Sequence, residues 1–139
     1  MLKKQPILAI YVILFFSLMQ IAFTSCKKTS DNKPPTVVFV NKTGYISTNT
    51  NVAKHTVFVI GIEATKNGND LIQYVNLLCS YNNRPDTLID QVFLPGTGTS
   101  YNRDYYLNSG DTAYGERYTV EVHSYLQLVS TLTLTVNVQ

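Results

Sequence analysis

Tryptophan is absent from this chain, and cysteine occurs only twice, at Cys26 and Cys79. Two cysteines cannot build the disulfide scaffold of a small exported domain. Without tryptophan the Cys–Trp–Cys core of antibody domains is excluded as well. Charge is sparse, with 11 Lys and Arg against 9 Asp and Glu in 139 residues. The first 25 residues hold two of the lysines and no acid, so the remainder balances nine basic against nine acidic side chains. There is no basic excess to neutralise phosphates, which excludes nucleic acid as a natural partner. The two histidines, His55 and His123, have neither a His-x-His nor a His-x-x-x-His spacing. No Asp-x-Asp run suited to calcium, no phosphate loop and no nucleophile motif occurs. Asp86 and Asp90 lie four apart, a spacing that puts two carboxylates on one face of a regular strand and could serve acid–base work in a cleft. Acids at strand ends are more often solvated or turn acceptors. The residues therefore point to a non-catalytic protein with no cofactor and no metal.

What is present begins with a sorting signal. Lys3 and Lys4 precede an apolar run from Ile7 to Phe23, broken only by Ser17 and Gln20. A charged head and an apolar segment make a secretory signal, with an uncleaved membrane anchor as the alternative. Phe23-Thr24-Ser25-Cys26 closes the run with a small residue and a cysteine. This resembles the lipobox of bacterial lipoproteins. The resemblance implies that residues 1–25 are a signal peptide and that Cys26 carries a diacylglycerol on the new N-terminus. Residues 26–35 then read as lipidated end and tether, because Lys27 to Pro35 holds no aliphatic or aromatic side chain. The Cys-Lys-Lys start with a Ser/Asp/Asn/Pro tether resembles lipoproteins of the Bacteroidota. By analogy with other Gram-negative systems, Lys27 in place of Asp implies the outer membrane.

Residues 36–139 read as one β-domain. Leu132, Leu134, Val136 and Val138 alternate with Thr131, Thr133, Thr135 and Asn137. Tyr118, Val120 and Val122, and Phe58, Ile60, Ile62 and Ala64, show the same period of two, the signature of strands with one buried face. Further strands are expected at 36–40, 70–81, 87–94 and 101–107. The turns between them lie at Lys66-Asn67-Gly68-Asn69, Asn82-Asn83-Arg84-Pro85, Pro95-Gly96-Thr97-Gly98 and Asn108-Ser109-Gly110-Asp111. No amphipathic helix and no internal repeat is found. About seven strands predict an immunoglobulin-like antiparallel β-sandwich. Gly115-Glu116-Arg117-Tyr118 resembles the entry to the sixth strand of such domains. That likeness makes Tyr118 a corner tyrosine bonded to upstream backbone. The segment from Ala64 through the Lys-Asn-Gly-Asn turn to Val75 is similar to a hairpin of bacterial Ig-like and cadherin-like modules.

Three surface readings follow. Val75, Leu77 and Cys79 are expected in the core, with Cys79 as a small buried hydrophobe. Ile72, Tyr74 and Leu78 then fall on the opposite face, and the next strand puts Ile89 and Phe93 opposite Leu88, Val92 and Leu94. Apolar residues on both faces predict a cover over the outer one: a partner, a dimer mate, or the Asn41–Lys54 segment folded back. Tyr101, Arg103, Tyr105 and Tyr106 combine aromatic faces with polar groups and are a candidate glycan contact, although tyrosine is also ordinary on edge strands. Asp86-Thr87-Leu88 and Asp111-Thr112-Ala113 resemble the motif at which Bacteroidota O-glycosylate exported proteins, implying Thr112, and secondarily Thr87, as acceptors. Together these predict a lipid-anchored envelope module binding a glycan or another envelope protein. The alternative is a structural subunit of an outer-membrane assembly, joined through a sheet edge or face.

Overall fold

The computed structural model describes residues 32–139, which form a two-sheet sandwich with no helix. Its eight strands are β1 (Lys33–Phe39), β2 (Thr50–Val52), β3 (Val57–Asn67), β4 (Ile72–Tyr81), β5 (Thr87–Phe93), β6 (Ser100–Asn108), β7 (Gly115–Ser124) and β8 (Val129–Val138). One sheet has the order β1-β3-β6 and the other β2-β8-β7-β4-β5. The fold is an all-β, Ig-like sandwich. The strand beyond the expected seven is β2, three residues inside the Asn41–Lys54 segment, which pairs in parallel with β8.

The alternating residues do what their period requires. Phe58, Ile60, Ile62 and Ala64 of β3 face Val75, Leu77 and Cys79 of β4, Val120 and Val122 of β7, and Leu134 and Val136 of β8 across one continuous core. Cys79 is buried there, and that burial raises its thiol pKa. The Asn41–Lys54 segment covers a different surface from the one expected. Tyr45 lies over Gly61 on the outer side of β3, where a Cβ would stand 2.8 Å from its ring, and its hydroxyl donates to Asp104. The segment therefore caps the three-stranded sheet and the β8 edge, and leaves the outer face of β4 alone.

Bulges account for most departures from simple alternation. Lys33 pairs with Asn67 and Thr36 with Thr65, so β1 carries one extra residue across Pro34 and Pro35. Prolines donate nothing to a ladder, and a bulge accommodates them. The strand thus begins three residues earlier than expected, inside the supposed tether, and Ser130 donates its hydroxyl to the Pro35 carbonyl.

Candidate functional site

The outer face of the five-stranded sheet is built in rows. Residues paired across neighbouring antiparallel strands point to the same side, so Phe93, Tyr74, His123 and Val129 make one row. Gln91, Asn76, Glu121 and Thr131 make the next, followed by Leu88, Leu78, Thr119 and Thr133. In the first row the Tyr74 and His123 rings stack with centroids 4.2 Å apart, and Phe93 tilts against Tyr74 at 5.6 Å. Phe93 remains 63% exposed. In the second row the Gln91 side-chain amide donates to Asn76 Oδ1 at 2.8 Å, and Asn76 Nδ2 donates to Glu121 Oε2 at 3.2 Å. His123 Nε2 lies 3.3 Å from the same carboxylate oxygen. An aromatic row thus sits beside a hydrogen-bonded amide–carboxylate row whose orientation is locked.

Of the three residues expected on this face, Tyr74 and Leu78 are there, both half-buried. Ile72 is not. It is fully buried, because Ile72 pairs with Ser124 and Tyr74 with His123, which leaves Gln73 as an extra residue and reverses the parity below it. A second bulge, at Ile89 between the Leu77–Asp90 and Leu78–Leu88 pairs, moves Leu88 to the outside with Leu78. Leu88, expected inward, is exposed beside Ile89. Val92 and Leu94 pack against the core as expected.

The same bulge separates the two carboxylates. Asp86 pairs with Arg117 at 2.9 Å, while Asp90 turns inward to the seam between the sheets. There Asp90 Oδ2 accepts from Arg103 at 2.8 Å and from the Tyr105 hydroxyl at 3.0 Å, and the Tyr105 and Tyr101 hydroxyls lie 2.8 Å apart. This cluster joins the free edges of β5 and β6. Tyr101 and Tyr105 are consequently buried, and Tyr106, 73% exposed, points the other way. The expected glycan platform is therefore split. Tyr101, Arg103 and Tyr105 latch the sandwich, because every second residue of β6 must face β3's partners in the core. Burial and the neighbouring phenol and carboxylate hold the Tyr105 phenol far above its ordinary pKa.

Tyr118 is buried as expected, but its hydroxyl donates to Glu116 Oε2 at 2.7 Å instead of to backbone. Both residues face inward on β7, two apart, and Glu116 is 1% exposed. Burial and this carboxylate drive the Tyr118 phenol pKa strongly upward. Thr112 and Thr87 are both exposed, Thr112 in the β6–β7 loop and Thr87 at the start of β5. Cys26 lies outside the described residues.

One further concavity was missed in the sequence. A cleft of about 370 Å³ is lined by Tyr81, Asn82, Arg84, Thr112 and Tyr114. Its parts come from the β4–β5 turn and the β6–β7 loop, some thirty residues apart in sequence, so no local motif marks it. Among the described residues, no group of three or more His, Cys, Asp or Glu side chains could hold a metal ion.

No protein-family model matches the chain, and no curated protein is similar to it in sequence. Solved structures share its fold. A superoxide reductase (neelaredoxin) from Ignicoccus hospitalis, as its T24K variant, has a TM-score of 0.51 at 10% identity, covering 84% of this chain and 88% of the other. The protein without that substitution has a TM-score of 0.49 at 10% identity, over 76% and 80% of the two chains. At this identity the likeness is one of fold: this chain is an all-β two-sheet sandwich similar in architecture to the neelaredoxin domain.

Proposed function

We propose that this chain is a non-catalytic accessory module of the bacterial envelope, held to the outer membrane by lipid on Cys26. In this reading it docks another envelope protein on the outer face of its five-stranded sheet. The observation that carries the reading is the aromatic row Phe93–Tyr74–His123, left uncovered by the other described residues, beside the locked Gln91–Asn76–Glu121 row. A desolvatable aromatic centre with a satisfied polar margin is the usual composition of an interface. Glu121 supplies the charge on that margin, so the matching partner surface has an apolar ridge and a Lys or Arg to meet it.

The face is favoured over the β5 edge as the contact. Edge pairing needs a regular strand, and β5 carries the Ile89 bulge and the inward Asp90, two devices that blunt strand addition. The test uses the full lipidated chain in native membranes. Phe93→Ser and Glu121→Lys should each reduce co-purification of the partner while the melting temperature stays near that of the parent. Unchanged co-purification in both variants refutes the reading.

A further inference from the structure

The cleft between the β4–β5 turn and the β6–β7 loop has the chemistry of a second, separate site. We propose that it binds a pyranose sugar bearing a carboxylate, a uronic acid in chemical class. Its volume of about 370 Å³ falls within the range of small-ligand pockets. One wall is aromatic: the Tyr81 and Tyr114 rings pack edge-to-face on each other, with centroids 5.5 Å apart at 81°. A sugar ring packs its C–H face on such a surface. Tyr114 can occupy this position because Gly110 has no side chain; a Cβ there would lie 2.0 Å from the Tyr114 hydroxyl.

The polar groups are donor-rich. Arg84 makes no ion pair among the described residues. Asn82 Oδ1 accepts from the Gly115 N–H at 3.3 Å, which leaves the Asn82 amino group to donate. Thr112 donates to Asp111 at 3.0 Å and so retains its lone pairs as an acceptor for a sugar hydroxyl. A guanidinium fork meets a planar carboxylate bidentately, which a neutral sugar cannot exploit.

The backbone beneath Arg84 is fixed in advance. Asn82 and Asn83 have φ of 51° and 59°, and the Arg84 N–H donates to the Tyr81 carbonyl at 3.0 Å, the geometry of a tight hairpin turn. The Ser80 hydroxyl donates to the Arg84 carbonyl, and the Asn82 N–H to the Gly115 carbonyl at 2.9 Å, tying the turn to β7. Of the nearby acids, Asp86 is paired with Arg117 at 2.9 Å, Asp111 accepts from Thr112, and Glu116 is buried with Tyr118.

The test is titration of the full chain in detergent with free glucuronate, and with glucose as the neutral counterpart, read by heat or by NMR shifts. Glucuronate should bind at least about tenfold more tightly than glucose. Arg84→Gln should erase that preference, Arg84→Lys should restore part of it, and Tyr81→Ala should abolish binding of both. Melting temperatures confirm that each variant is folded. Tyr106→Ala, at an exposed residue of the three-stranded sheet that does not line the cleft, should change nothing. Equal affinity for the two sugars, no saturable binding of either, or binding indifferent to Arg84→Gln and Tyr81→Ala would overturn the proposal.

Discussion

The Tyr118 hydroxyl donates to Glu116 Oε2 across 2.7 Å in the buried end of the core, where Tyr118 also packs its ring edge-on against Phe58 at 6.0 Å. The acceptor is a carboxylate with almost no access to water, so loss of the donor strands it. Tyr118→Phe should therefore cost about 1–3 kcal/mol, the range for leaving a buried hydrogen-bonding group unsatisfied. Urea unfolding of the variant measures the difference, and a neutral effect would mean that the Glu116 carboxylate finds another donor.

Two buried tyrosines give the domain an alkaline limit. Tyr118 and Tyr105 hold their protons well above the ordinary phenol pKa, through burial and adjacent acceptors. Tyr81 is pushed up to about 12, chiefly by burial. In the unfolded chain these phenols ionise near pH 10. Below that pH both states are protonated and stability does not depend on them. Above it the unfolded state releases protons that the folded state keeps, so stability falls as pH rises. Urea midpoints should be level from about pH 8 to about pH 9 and decline toward pH 11. The decline should be shallower in Tyr105→Phe.

Ile72 and Tyr74 should behave oppositely under truncation, despite being two apart on one strand. Ile72 is fully buried, and Ile72→Ala should cost about 2–5 kcal/mol through the cavity it leaves. Tyr74 is half-buried on the outer face with two ring neighbours, and Tyr74→Ala should cost about 1 kcal/mol or slightly more. Thermal unfolding of the two variants compares them directly. Equal losses would contradict the bulge at Gln73.

That pair also shows where sequence reading stopped. Strands β3, β7 and β8 were legible residue by residue, because each alternates without interruption and buries one face. The core positions of Val75, Leu77 and Cys79 were legible for the same reason. A bulge adds one residue and inverts every assignment beyond it, and neither Gln73 nor Ile89 differs in type from an ordinary strand residue. Leu71-Ile72-Gln73-Tyr74 and Leu88-Ile89-Asp90 could each be read in two parities, and tertiary pairing selected the one with the bulge. The tyrosines of β6 failed differently. Tyrosine has an apolar ring and a polar tip, so the sequence Tyr101–Tyr106 suits either a surface platform or a seam. Asp90, which decides the matter, comes from another strand. The face carrying Tyr74 was anticipated from apolar residues on both sides of β4, whereas the Tyr81–Tyr114 cleft depends on two loops meeting and left no pattern to find.

Mass spectrometry of the protein from its native host tests the two modifications together. The envelope reading predicts a mature chain starting at Cys26 with acyl chains attached, and Cys26→Ser should leave uncleaved precursor or release the protein. A glycan at Thr87, exposed at the start of β5 and clear of the cleft-lining residues, should add mass that Thr87→Ala removes. A chain with no acyl group would contradict the anchor, and a mass equal to polypeptide plus lipid would contradict the glycan.

The most direct test of a docking face is to place a photo-reactive amino acid at Phe93 in one sample of the full chain and at Tyr106 in another, then irradiate native envelopes. Both positions are exposed, at 63% and 73%, but they lie on different sheets. The account predicts a discrete protein adduct from position 93 that competes away with Phe93-intact chain, and none from position 106. Adducts of equal yield from both positions, or from position 106 alone, would contradict it.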